Sequence, residues 1–365
     1  MLSRKSFIDA YCRLEGLESL DERQWDSLLR ILRAKSLTAS FYHRLSRKGI
    51  EALIPDYCKS AFVSAVRFAD AQAHQTANQA KKLNTLLKSN KIPFIFLKGA
   101  AYTLGNTANG VGRLMTDIDI CVIRDDIGNL ENALTGCGWT FKEMDEHDDK
   151  YYRAWSHELP PLKNDQEGVV LDVHHTLLPP VKGRLLNISD LLLSAKTDAE
   201  YPVPSKEWLV LHSALHLMLN EDVENGLRDL TDIFTLLNSN NGFEQNSAST
   251  AALFKQEGFA NEWLMLLALL AHFFNVSVAK YETESLPLYY RIRVFCLKRA
   301  VLPKFSPITE RFDWIWSFIN FVMGYYSKMP LNILAKQAGY KCYRNSVKLI
   351  FGEYFFRKTK QSKEN

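Results

Sequence analysis

The sequence predicts an α+β protein, with a small mixed β-sheet core flanked by N-terminal and C-terminal helical regions. Three observations lead there. Apolar residues recur at helical spacing through residues 1–90, short apolar runs bounded by turn signals occupy 91–204, and helical patterns resume across 205–365. These changes of period also mark three segments: an N-terminal helical region, an α/β core and a C-terminal helical domain.

In the first segment, Ser19-Leu-Asp-Glu22 has the form of a capping box. It precedes Trp25, Leu28, Leu29 and Leu32, which share one helical face. An Ala- and Gln-rich helix is expected from about Ala61 to Ser89, ended by Asn90-Lys-Ile-Pro93. The core then supplies apolar strands over 92–97 and 117–123. A helix over 126–136 follows, stopped at Gly136-Cys-Gly138. Trp139-Thr-Phe141 begins an extended stretch, and the charged run Glu143–Lys150 reads as an exposed turn. Tyr151–Leu159 and Gly168–His175 read as a hairpin around Pro160-Pro161 and Asn164–Gly168. Beyond Ser205, Trp208–Asn220 and Gly226–Leu237 are amphipathic helices, and further Leu, Phe and Trp stripes run to about 355.

Composition excludes several classes. At 47% hydrophobic and 24% charged, the 365 residues are those of a globular protein. A net charge of +4 is too small for a dedicated nucleic-acid binder. The six cysteines, at 12, 58, 121, 137, 296 and 342, lack a CxxC pair, which points to reduced thiols and a cytoplasmic setting. No signal peptide is expected. Trp263–Val276 and Trp314–Tyr326 are greasy but shorter than the ~20 apolar residues of a spanning helix. Both read as buried core helices, the alternative being a membrane-surface contact aided by Arg357-Lys-Thr-Lys360.

The candidate chemistry sits on the strands. Asp117 and Asp119 alternate onto one face of the second strand. Burying two carboxylates together is costly without a counter-charge, and a divalent cation is the usual solution. Phe94–Leu97 ends in Lys98-Gly99, and Val169–His174 carries Asp172. A Lys-Gly strand end, an Asp-x-Asp strand and a third strand with a lone Asp form the layout of a metal-dependent nucleotidyltransferase. In that layout Asp117 and Asp119 bridge two Mg²⁺ ions. Asp172 ligates the metal that activates the acceptor, or acts as its base. Lys98 and the backbone after Gly99 hold the phosphates, and Arg113 clamps a phosphate oxygen. His174 shares the Asp172 face and either hydrogen-bonds a ligand or the Asp, or is structural. His212 and His216, four apart, have metal-ligand spacing but no HExxH glutamate. Arg228, Asp229 and Asp232 form either a helix-packing network or a contact to base or ribose.

These residues carry a resemblance. Leu97-Lys-Gly-Ala-Ala101, Gly112-Arg-Leu-Met-Thr-Asp117-Ile-Asp119 and Leu171-Asp-Val-His174 resemble nucleotidyltransferase family 5, an uncharacterised family of the DNA polymerase β-like superfamily. The similarity covers about residues 20–240 and includes Leu211–His216 and Arg228-Asp-Leu-Thr-Asp232. It implies a small mixed sheet with helices on one side, Mg²⁺, a nucleoside triphosphate, and Asp117, Asp119 and Asp172 as metal carboxylates. It implies no acceptor. The chain departs from the superfamily where a Gly-Ser or Gly-Gly motif is usual: here stands Lys98-Gly99-Ala100, without the serine hydroxyl. The expectation is a bacterial-type enzyme moving AMP from ATP onto a small-molecule or macromolecular acceptor with release of pyrophosphate. The alternatives are a kinase-like or NTP-hydrolysing use of the same site, and a non-catalytic nucleotide-binding protein.

Overall fold

The computed structural model describes residues 2–142, 156–164, 168–179, 183–196, 199–240, 242–278, 285–305 and 308–328. The expected charged turn at Glu143–Lys150, most of the Tyr151–Leu159 strand and the basic tail lie outside the described residues.

The chain opens with α1 (Arg4–Ile8), which runs into a π-helical turn at Asp9–Arg13. Helices α2 (Glu22–Ala34), α3 (Thr38–Lys48) and the long α4 (Asp56–Ser89) follow. The capping box of α2 is two residues later than the sequence pattern suggests. Asp21 accepts from the Gln24 backbone N–H, and the Gln24 side chain returns the bond. Asp is as good a cap as Ser, and the Asp21 frame puts Trp25, Leu28, Ile31 and Leu32 on the buried face. Helix α3 stops at Gly49, whose φ of 67° is the left-handed conformation that costs glycine least.

The sheet comprises β1 (Phe94–Leu97), β2 (Ile118–Val122), β3 (Thr140–Phe141), β4 (Leu162–Asn164) and β5 (Val169–His174), in the order β1-β2-β5-β4-β3. Only β2 and β5 are parallel, so the sheet is mixed as expected. Helix α5 (Lys98–Leu104) packs on β1 and β2, and α6 (Ile127–Thr135) connects β2 to the far edge. Every residue of β1 and β2 is buried, in keeping with side chains that are apolar apart from Asp119. The outer edge of β1 is covered where Phe96 N–H donates to the Pro202 carbonyl. The hairpin differs from expectation. β5 pairs with Leu162–Asn164, beyond Pro160-Pro161, and Glu158 adds only an isolated antiparallel bridge to His174. The two prolines lack N–H donors and interrupt the ladder between these pairings.

The C-terminal part comprises α7 (Ile188–Leu193), α8 (Lys206–Leu219), α9 (Gly226–Leu237), α10 (Phe243–Gln256), α11 (Ala260–Phe274), α12 (Leu288–Ala300) and α13 (Asp313–Lys328). Helix α8 is buried almost all round and packs against α9, α10 and α11. Helix α11 is a core helix, as its apolar run implies. Helix α13 is not: Trp314 is 68% and Phe318 61% exposed, so this run is a one-sided helix with aromatic residues facing outward. No described helix is long and apolar enough to cross a membrane. Cys12, Cys58, Cys121, Cys137 and Cys296 are free thiols. One apolar core runs from Phe7 and Tyr11 through the sheet to Leu297.

Candidate active site

The site is assembled by sheet register. In the antiparallel β1–β2 pair, Leu97 lies opposite Asp119, so the next residue, Lys98, emerges beside that carboxylate. Lys98 Nζ donates to Asp119 Oδ1 over 2.7 Å. Its φ of 45° is unusual for a side-chain-bearing residue and costs about 1–3 kcal/mol. The strain belongs to the sharp change from strand to α5, and it turns the lysine back over the sheet end. In the parallel β2–β5 pair, Asp119 is in register with Asp172. Asp117 lies just before β2, two residues from Asp119, and alternation sends both to the same side. His174, two residues after Asp172, places Nε2 3.0 Å from Asp119 Oδ1 and, carrying the proton there, donates to it.

The electrostatics follow from this packing. Burial would raise the Asp119 carboxyl, but Lys98 and His174 outweigh it and hold Asp119 well below the usual carboxylate range. Asp119 in turn raises Lys98 against the desolvation that would lower it. Asp117 is raised, by burial first and then by the charge of Asp119. Asp172 is pushed up to about 7, by burial first and then by Asp119, Glu158 and Asp117. Its Oδ1 is buried and accepts no hydrogen bond. A carboxylate group crowded by three others, with an orphaned oxygen, is short of positive charge. A hard divalent cation with oxygen ligands fits that donor set.

Two residues of the site were not among the sequence candidates. Glu158 Oε2 lies 3.8 Å from His174 Nε2 and 3.8 Å from His157 Nε2. The ligand atoms of His157, Glu158 and His174 all lie within 4.8 Å of one another, close enough to share a metal ion. The signal available was the expected Tyr151–Leu159 and Gly168–His175 pairing, which brings Glu158 across from His174. His212 stacks edge-on behind His174, with ring centroids 6.3 Å apart, and His216 follows at 6.4 Å. Burial and the Lys98 charge hold His212 well below its ordinary pKa, so it lines the back of the site as a neutral ring.

Arg113 and Asp229 fall in an adjacent network. Arg113 Nε donates to Asp232 Oδ2 over 2.7 Å, and both side chains are buried. Its guanidinium lies 5.2 Å from the Tyr102 ring centroid. The expected phosphate clamp is thus committed to an ion pair with α9, a partner 119 residues away that local spacing does not reveal. Gly99 allows that approach. A Cβ there would meet Arg113 Nη1 at 2.5 Å, so this glycine makes room for the arginine under the Lys98 turn. Asp229 faces Arg228, with Oδ1 3.5 Å from Nε, and adds its charge to Arg113 and Tyr102.

A small mixed sheet whose adjacent strands present three carboxylates, next to a lysine at a strand-to-helix turn, is the arrangement expected of a nucleotidyltransferase. The chain belongs to the uncharacterised nucleotidyltransferase family, which it matches over residues 21–275. A search of curated proteins finds no match.

Proposed function

We propose that the protein is a metal-dependent nucleotidyltransferase that moves a nucleoside monophosphate, AMP from ATP in the form we favour, onto an acceptor and releases pyrophosphate. The observation that carries this reading is the Asp119–Asp172 register pair with Asp117 beside it and a buried Asp172 oxygen lacking a partner. Family membership supports the general class of reaction.

Asp117, Asp119 and Asp172 would hold Mg²⁺. Bound there, it would neutralise triphosphate charge and make an acceptor hydroxyl easier to deprotonate. The protein's own groups do the rest. Lys98 lies at the site mouth with one hydrogen bond to Asp119, and its ammonium can turn to a phosphate oxygen once the cation neutralises that carboxylate. Asp172 would either ligate the ion that activates the acceptor or, where it is left unliganded, take the acceptor's proton itself. His174 orients Asp119 from a fully buried position. Glu158 reaches the same cluster from the other side of β5 and is a further ligand candidate.

A second reading has a specific observation behind it. Lys98 already supplies Asp119 with a counter-charge, which is what a nucleotide-binding site without turnover would need. One experiment separates the readings. The protein is incubated with each α-labelled NTP, with Mg²⁺ or EDTA, and with cell extract. Label on an acceptor with stoichiometric pyrophosphate, lost in EDTA and in Asp119→Asn, supports transfer. NDP with free phosphate would indicate hydrolysis, and NDP with a phosphorylated acceptor would indicate kinase-like use. Bound, unaltered NTP would indicate a binding protein.

A further inference from the structure

We infer that the exposed aromatic face of α12 and α13 docks the protein on the surface of an anionic lipid bilayer. On α12, Leu288, Ile292, Phe295 and Arg299 recur at i, i+4, i+7 and i+11 and form one stripe, whose three apolar members are exposed. On α13, Trp314, Phe318, Phe321 and Val322 share one face in the same way, and all four are exposed. The two helices pack on one another. The Phe295 ring stands edge-on to Trp316 with centroids 4.8 Å apart, and a groove joins Arg299 and Lys304 to Trp314, Phe318 and Phe321. Apolar side chains exposed side by side over two helices mark an interaction surface, unlike the scattered exposure of an ordinary monomer.

Charge selects the partner. Residues 286–365 hold 15 Lys and Arg against 4 Asp and Glu, a net +11 in a chain whose total is +4, so residues 1–285 carry −7. Within 286–328 the only carboxylates are Glu310 and Asp313, and both pair with Arg4. Arg291, Lys298, Arg299, Lys304 and Arg311 have no carboxylate within ion-pair distance among the described residues. Cations stand beside the rings: the Arg299 guanidinium lies 3.9 Å from the Phe295 centroid and 5.7 Å from that of Trp316, and Arg311 lies 5.6 Å from that of Phe312. Rings that enter the headgroup boundary, with cations alongside to meet lipid phosphates, are the pattern of a helix lying in a membrane surface. The acidic remainder of the chain is repelled by that surface, which confines the attraction to the C-terminal part.

Three other occupants fit this face less well. A second copy would set it against itself in a two-fold dimer, cation facing cation with no free acid between them. Residues 329–365 carry 8 Lys and Arg against 2 Asp and Glu and would bring like charge in the same way. A nucleic acid matches the charge, but Leu288, Ile292 and Val322 offer no ring on which a base can stack. The acyl boundary of a bilayer accepts aliphatic and aromatic side chains alike.

The test uses the full chain in EDTA without nucleotide. It is floated with phosphatidylcholine vesicles and with mixed phosphatidylcholine–phosphatidylglycerol vesicles. The protein should bind the anionic vesicles, and binding should weaken as salt is added. The paired substitution Trp314→Ser with Phe318→Ser should weaken binding about tenfold or more, and Lys304→Gln with Arg311→Gln should remove most of the preference for anionic lipid. All four side chains are exposed, so both variants should fold, which circular dichroism checks; Phe318→Ser alone is read in the same way if the aromatic pair does not. Absence of binding to anionic vesicles overturns the inference. So does binding unchanged in the aromatic variant, which would assign it to the basic tail alone. A dimer in light scattering that dissociates in the aromatic variant would give the face to a second copy. Single-stranded RNA bound in place of vesicles would give it to nucleic acid, and either result overturns the proposal. No turnover is measured, so the outcome does not depend on whether the protein is a transferase.

Discussion

Asp172→Asn should remove activity and, in the absence of divalent metal, stabilise the protein in a pH-dependent way. Asp172 binds its proton at about 7 in the fold, against about 4 in the unfolded chain. The native state therefore holds the proton more tightly, and stability falls as pH rises through that interval. The penalty is absent below pH 4, grows between 4 and 7, and is complete above 7. At about 1.4 kcal/mol per tenfold change in proton affinity, a span of roughly three such steps corresponds to about 4 kcal/mol. Asp119, Glu158 and Asp117 share in that repulsion, so about 2–4 kcal/mol is the working range. Asparagine cannot ionise. Its amide meets the same lack of partners as Oδ1, and that cost does not change with pH. The readout is thus the difference between variant and wild type in urea unfolding at pH 4 and pH 8, both in EDTA. The variant should gain about 2–4 kcal/mol on wild type between the two. Saturating Mg²⁺ at pH 8 should favour wild type and shrink the gap, because only the intact carboxylate set binds the ion well. A difference independent of pH would refute the claim that Asp172 is a crowded, partnerless carboxylate.

The other expectations are briefer. Asp117→Asn should abolish Mg²⁺-dependent turnover while keeping or slightly raising apo stability, since it relieves the repulsion with Asp119; wild-type turnover would remove it from the metal set. Asp119→Asn should also abolish turnover but lower stability by about 3 kcal/mol, because Lys98 and His174 lose a buried acceptor; denaturant unfolding distinguishes the two aspartates. Lys98→Ala should weaken affinity for a non-hydrolysable NTP in Mg²⁺ by several-fold and lower apo stability by about 2 kcal/mol. Equal NTP affinities would take Lys98 out of the phosphate site. Arg113→Gln should cost about 3–5 kcal/mol by stranding Asp232, and Asp232→Asn in that background should recover part of it, which a double-mutant cycle measures.

What the sequence reveals about this site depends on the range of the interaction involved. The shared face of Asp117 and Asp119 is a matter of strand alternation over three residues, and that of Asp172 and His174 is the same rule on β5. Both are readable from the chain. The mixed sheet and the helical flanks are readable too, since each rests on local period and on Gly or Pro boundaries. That Asp119 stands in register with Asp172 is not, because parallel pairing is set by the packing of everything between them. The partner of Lys98 is hidden for the same reason: 21 residues separate it from Asp119, and only the β1–β2 register joins them. Arg113 is the sharpest case. Four residues before the aspartate pair, it looks like part of the same motif, yet the fold turns it to Asp232 on α9. Glycine at 99 is what permits this: a residue expected to open the phosphate-holding turn also clears a path for a guanidinium. Helix α13 marks the remaining limit. Its aromatic residues have helical spacing, but periodicity does not distinguish a face turned to the core from one turned outward, and here Trp314 and Phe318 face outward. The acids that share a strand are aligned by a local rule, while the charges that tune them come from segments the chain brings in from far away.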